Sequence, residues 1–307
     1  MTRFIIRRLL LTIPVLIGAS LLIYAMVYAL PGDPVRALAG DRPLSPPVQA
    51  QIRADFNLDD PFALQYAKYI WALLHGDFGQ DFSGRPVLEI ISQRLPVTVK
   101  LTIVAVFFEA LFGIAAGILA SLRRNSFFDN LVLISTTLLV SIPVFVLGFL
   151  AQFVFGFKLG WFPIAGVADG WVSYLLPGLV LASLSMAYVA RLTRSAMLEA
   201  FSADYIRTAR AKGVGRSRIV MRHAFRNSLI PVVTFIGADI GSLLGGAIVT
   251  ESVFNLPGLG RAIFDAVRSQ QGPVVVGIVT LMVFFYIFFN LVVDVLYAVI
   301  DPRIRYD

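Results

Sequence analysis

Six apolar stretches, at residues 9–30, 97–122, 131–157, 174–192, 229–250 and 274–300, leave this chain few ways to fold. As an α-helix, residues 9–30 would rise about 33 Å, enough to cross a hydrocarbon core of roughly 30 Å. Lipid offers the backbone no hydrogen-bond partners, so runs of this length satisfy their own polar groups as helices. The expected fold is an all-α polytopic membrane protein with six transmembrane helices, both termini on one side. Composition agrees: 58% of the 307 residues are hydrophobic, against about 45–50% for a soluble globular chain. Arg3, Arg7 and Arg8 give the first run the basic start of a signal peptide. It exceeds the roughly 7–15 residues of a signal core and no A-x-A site follows, so we read it as a retained span.

Between the first two runs the composition changes. Residues 31–96 carry the turn-rich strings PGDP, RPLSPP and NLDDP, a more helical part at 62–75 and a turn, GDFG, at 76–79. Acids and bases are mixed there, whereas basic residues gather at the other connections: Arg123 and Arg124, the stretch 191–226, and Arg303 and Arg305. The positive-inside rule then puts both termini and the 194–228 loop in the cytosol, with 31–96 as an extracytoplasmic insertion. Lys158, Trp161 and Trp171 would mark the outer interface. The expected organisation is 1–30 (N-terminus and first helix), 31–96 (insertion), 97–298 (transmembrane domain) and 299–307 (cytosolic tail). The insertion's carboxylates read as helix caps and solvated faces rather than as catalytic or calcium-binding groups.

Several chemistries are excluded or disfavoured. There is no cysteine, and the only histidines, His75 and His223, are far apart, so no metal site is expected. Lys212 is the only lysine beside a glycine and lacks the rest of a phosphate-binding loop, so the chain has no nucleotide site of its own. Gly213-Val214-Gly215 and Gly258-Leu259-Gly260 read as turn glycines, and neither GxSxG nor HExxH occurs. We expect no enzyme activity and no cofactor in this chain. The net charge of +7 sits at span ends without interleaved aromatics, which argues against nucleic acid and for contact with membrane lipid. No internal repeat or inverted symmetry favours an ion-coupled carrier.

Two groups of residues stand out. In DYIRTARAKGVGRSRIVMRHAFRNSLIP, residues 204–231, a helical wheel puts Tyr205, Ile206, Ala209 and Gly213 on one face and Asp204, Arg207, Thr208 and Ala211 opposite. Gly213 can take the positive φ that ends a helix, so the pattern predicts helix, turn, second helix. The bland alternative is a basic loop with no partner. The second group interrupts apolar spans: Glu109, Asp239 and Asp294. A mid-membrane acid costs about 2.5–3.5 kcal/mol on insertion scales unless it meets a partner or water. Asp294 shares a helix face with Asn290, and Asp239 lies beside the ladder Gly237, Gly241, Gly245, which permits close helix contact. These acids line a polar pathway or brace helices against one another, and the residue types leave both readings open. Ser141-Ile142-Pro143 and the pair Ser183 and Ser185 are weaker candidates for locally opened helices around a pathway.

The 204–231 stretch resembles the coupling loop of the permease subunits of bacterial ABC importers. Arg207-Thr208-Ala209 stands where their "EAA" motif usually has Glu-Ala-Ala, and Gly213 stands at the motif glycine. DYIRTARAKG and RHAFRNSLIP resemble the dipeptide/oligopeptide/nickel branch in particular, although Arg226 sits where many permeases have proline. LPGDP, NLDDPFALQYAKYI, HGDFG, RPV, LRRNSFFDN, SIPVFVLGFL, ARLTRSAML, IVTESVFNLPGLGR and DPRIRY extend the likeness over nearly the whole chain. The resemblance is to a B-type permease of the peptide/nickel class, a binding-protein-dependent inner membrane component. It implies a type I, MetI-like permease fold that forms half of a pore. The other half would be a second homologous permease, with two cytosolic ATPase subunits that bind ATP and Mg and an extracytoplasmic substrate-binding protein. It also implies that Tyr205, Ile206, Ala209, Lys212 and Gly213 couple the chain to the ATPases and that the cargo is a peptide, with nickel or haem as alternatives. Glu109, Ser141, Asp239, Asn290 and Asp294 stand, from their residue types, as candidates for a translocation path or for helix bracing.

Overall fold

The structure is a computed structural model describing residues 2–28 and 45–300. The PGDP turn at 31–34, and residues 301–307 with Arg303 and Arg305, lie outside the described residues. The described chain is almost entirely helical; its one β-contact is an isolated bridge between Gln80 and Pro86. In order come α1 (Thr2–Tyr28), α2 (Pro46–Asp55), α3 (Phe62–Leu74), α4 (Val87–Phe108), α5 (Ile114–Leu122), α6 (Phe127–Ser141) and α7 (Val144–Ala151). There follow α8 (Val172–Ser202), α9 (Asp204–Ala211), α10 (Arg216–Arg218), α11 (Arg226–Val253), α12 (Leu259–Arg268) and α13 (Gly272–Ile300). Three π-helical segments punctuate them: Glu109–Gly113 joins α4 to α5, Gln152–Lys158 extends α7, and Ile219–Phe225 joins α10 to α11. Among the described residues, five helical stretches are long and apolar enough to cross a membrane, and α6 with the helical segment that follows its bend makes a sixth when the bent pair counts as one span.

Three departures from the expected spans have local causes. The second span begins at Val87, not at 97, because Pro86 precedes it and Glu89 in its first turn suits the positive helix start. Pro96 is then carried inside the helix at the cost of one backbone bond. The third span, expected unbroken over 131–157, turns by 105° between α6 and α7. Pro143 is the reason: it disfavours the helical region for the residue before it, and Ile142 sits at φ −95°, ψ 126°. The glycine-rich stretch at 258–260 is not only a turn, since it opens α12, which buries Leu259, Ile263 and Ala266.

The chain divides into two compact units. The first holds residues 1–98 and 257–288. Its core is a cluster of tyrosines in which the Tyr24 ring meets Phe62, Tyr66 and Tyr69. Two half-buried phenols of the cluster find partners: Tyr66 Oη donates to the Ile17 carbonyl (3.0 Å) and Tyr69 Oη to Thr280 Oγ1 (2.9 Å). Burial pushes the Tyr69 phenol up to about 12. The Thr98 hydroxyl accepts from the Leu259 N–H (2.8 Å), capping the start of α12.

The second unit holds residues 99–256 and 289–307. Its axis is α8, which packs against α5, α6, α7 and α11. Glycines let the neighbours approach. A Cβ placed on Gly117 would lie 2.5 Å from Thr193 Cβ and 2.6 Å from the Ala190 carbonyl oxygen, and one on Gly178 would lie 2.5 Å from Val104 Cγ1. Gln152 holds the π-helical segment in place, its amide donating to the carbonyls of Ile164 (2.8 Å) and Val253 (3.0 Å).

Candidate functional site

The helix, turn, helix expected at 204–231 is present. Ala203, extended at φ −70°, ψ 150°, separates α8 from α9, and Asp204 in the first turn of α9 suits the positive end of its dipole. At the other end Gly213 adopts φ +73°. Its N–H donates to the Arg210 carbonyl (3.0 Å) and the Val214 N–H to that of Ala209 (3.1 Å), which satisfies carbonyls the helix leaves open. Gly215, at φ −61°, ψ 145°, then opens α10, which runs through Ile219–Phe225 into α11 without a break.

Of the four residues the wheel grouped, the structure buries two and leaves two exposed. Ile206 (0% exposed) and Ala209 (8%) are buried in the chain's own cluster with Met197 and Ala200 of α8 and with Ile219 and Ala224. That face anchors α9 to the chain and is closed to any other molecule. Tyr205, 41% exposed, falls on its rim, and Lys212 and Gly213 are exposed with Asp204, Arg207 and Thr208. Beside the loop is a cavity of about 500 Å³ reached by Arg210, Arg216, Phe201 and Ser121.

The membrane acids are arranged differently. Glu109 is fully buried, and neither of its carboxylate oxygens has a hydrogen-bond partner among the described residues. It opens the π-helical segment Glu109–Gly113 and lies within electrostatic range of Asp239. Asp239 is half-buried, and its Oδ2 has no partner among the described residues. The glycine ladder beside Asp239 is used in part. A Cβ on Gly237 would come 2.6 Å from Val293 Cγ2, but one on Gly245 would meet nothing within 4 Å. Asn290 is half-buried and engaged in an interaction. The side chain of Asp294 lies outside the described residues. Ser141 is exposed at the α6–α7 bend and donates back to the Thr137 carbonyl (2.8 Å).

Two features escaped the reading of the sequence. Glu251 is fully buried one residue beyond the expected end of its span, where a charged residue looks like a boundary. Asp129, 1% exposed, forms a two-point ion pair with Arg194: Nε donates to Oδ1 (2.5 Å) and Nη2 to Oδ2 (2.8 Å). Only half of that was visible in advance. Ser126-x-x-Asp129 is a capping pattern, and Ser126 does cap α6, but nothing local points to an arginine 65 residues away.

The comparisons with known proteins agree with this architecture. A family model for the binding-protein-dependent transport system inner membrane component matches residues 113–306, and that of its N-terminal region matches 1–102. The glutathione transport system permease protein GsiC of Salmonella paratyphi A is 44% identical over 307 residues, covering 100% of both chains. GsiC of Escherichia coli K12 is 44% identical over 311 residues, again covering 100% of both. Among solved structures, the inward-facing MetNI methionine ABC transporter aligns with a TM-score of 0.58 at 18% identity, over 70% of this chain and 97% of that one. An amino acid ABC transporter gives 0.53 at 19% identity, over 71% of this chain and 95% of that one. At such low identity these structures speak to the fold alone, which is the MetI-like permease fold. The chain belongs to the binding-protein-dependent transport system inner membrane component family, as a membrane permease subunit of an ABC importer.

Proposed function

We propose that this chain forms half of an inner-membrane pathway for short peptides, paired with a second homologous permease. Two cytosolic ATPase subunits, which carry the ATP and Mg, hold its α9 loop, and an extracytoplasmic binding protein delivers the cargo. The observation that carries the coupling reading is the two-sided character of α9. Ile206 and Ala209 fix it to the chain's own core, so a push on its exposed rim at Tyr205, Lys212 and Gly213 reaches α8 instead of bending the loop. A coupling element must distinguish two states of the transporter, and a rigidly seated helix can do so. Glu109 and Asp239 line or brace the path. The names of the relatives support a peptide cargo: glutathione is a tripeptide, unlike nickel or haem.

The test is uptake into vesicles holding the four-subunit complex with its binding protein, offered glutathione, dipeptides, oligopeptides, nickel and haem in turn. We expect ATP-dependent uptake of a peptide, and uptake of nickel or haem alone would refute the cargo. Orientation, with both termini and the loop in the cytosol and residues 31–96 outside, rests on the arginine distribution. The cysteine-free background makes D59C and R207C clean probes. Labelling of D59C only from the cytosolic face would reverse the arrangement.

A further inference from the structure

The α5–α6 hairpin grips α8 at one level from two sides. On the α5 side, Gly117 is pressed so close to Thr193 and the Arg194 backbone nitrogen that a Cβ there would come within 2.5 and 3.0 Å of them. On the α6 side, Asp129 takes both nitrogens of the Arg194 fork, at 2.5 and 2.8 Å, and its Oδ2 also accepts from the Asn125 N–H (2.8 Å) in the turn between the two helices. A helix cap alone does not need this. Ser126 already accepts from the Asp129 N–H, and most capping carboxylates stay in water, whereas Asp129 is 1% exposed. The two-point geometry resists rotation as well as separation, which a single point charge does not. Three residues beyond Arg194, Met197 enters the cluster that seats Ile206 and Ala209 of α9. At the far end of α6 is the 105° bend at Ile142-Pro143.

We propose that Asp129 and Arg194 are positioning residues for energy coupling: their bond makes the α5–α6 hairpin move as one body with the end of α8 that carries the coupling helix, so that displacement of α9 is delivered to the bend between α6 and α7. The inference rests on the reading of α9 as the ATPase contact. The connection runs from α9 to Met197 by packing, along the helix α8 to Arg194, and across the ion pair to Asp129 in the first turn of α6.

The experiment uses the complete transporter in vesicles and needs no cargo. S141C reports on the exposed bend and T208C on the exposed side of α9, both read by maleimide labelling without nucleotide and after trapping with ATP and vanadate. In the native pair, T208C is protected when the ATPases are present, and the labelling rate of S141C changes on trapping. Two variants separate a transmitting bond from mere support of the fold. Arg194→Lys keeps the charge beside Asp129 but loses the two-point bond. The double variant Asp129→Leu, Arg194→Met replaces the pair with apolar side chains, a change that buried ion pairs often tolerate without loss of stability. We expect both to keep T208C protected, with the trapping response of S141C reduced in Arg194→Lys and lost in the double variant. A full response in both variants overturns the proposal, as does an S141C that ignores nucleotide in the native pair. If T208C labels equally with and without ATPases in the native chain, the reading of α9 itself falls and takes this inference with it.

Discussion

Two regions of the second unit treat a buried carboxylate in opposite ways. Asp129 has both oxygens occupied by Arg194 and an N–H of its own turn, so its lost hydration is replaced bond for bond. Glu109 is as deeply buried and has no donor among the described residues. An ionised carboxylate there has nothing to offset the hydration it gives up. The first arrangement is that of a joint, complete within this subunit. The second is a carboxylate that the subunit encloses without supplying a donor among the described residues. Comparing them shows that burial alone says little about an acid's role, and that the donors within reach say much more.

The largest effect should come from breaking the joint on one side only. Arg194→Ala leaves Asp129 buried with its main partner gone. Breaking a buried pair typically costs about 3–5 kcal/mol, and Arg194, at 19% side-chain exposure, belongs near 3 kcal/mol. Thermal unfolding of the purified complex checks this, and an unchanged midpoint would remove the distinction between the two acids. A middle-sized effect is expected at Ala209→Trp, which overfills the cluster beneath α9 and should cost roughly 1–3 kcal/mol. Tyr205→Ala, on the exposed rim, should stay within about 0.5 kcal/mol. If α9 is the coupling helix, Tyr205→Ala weakens pull-down of the ATPases without destabilising the chain, and the reverse order of the two variants in unfolding would contradict the packing described. The smallest change in stability is expected at Glu109→Met, because no bond is lost when the carboxylate goes. Its midpoint should hold or rise. A fall comparable to that of Arg194→Ala would mean that Glu109 has a partner after all and that the contrast is false.

Much of the 204–231 loop was legible because its signals are local. The break before Asp204, the helical face and the positive φ of Gly213 follow from backbone preferences of neighbouring residues. The bend at Pro143 was half legible. Proline announces a disturbed helix, and Ser141-Ile142-Pro143 stood out for that reason, but nothing in the string distinguishes a mild kink from a 105° turn. Helix α12 was missed because two flanking glycines outweighed a clear amphipathic pattern in which Leu259, Ile263 and Ala266 face inward. Arg194 was missed because it stood within a loop already explained by sidedness.

By itself the sequence determined that this chain is a polytopic helical membrane protein, where its apolar spans lie, and that a basic helix-turn-helix interrupts them. Those are properties of contiguous residues: hydrophobicity summed over a run, and φ preferences read one residue at a time. Only the tertiary structure decided that Ile206 and Ala209 face the chain's own core, that Arg194 closes on Asp129 across 65 residues, and that Glu109 is buried with no donor among the described residues. The helical period tells which side chains share a face, but burial and the pairing of charges depend on which distant element covers that face, and that is settled only when the helices pack.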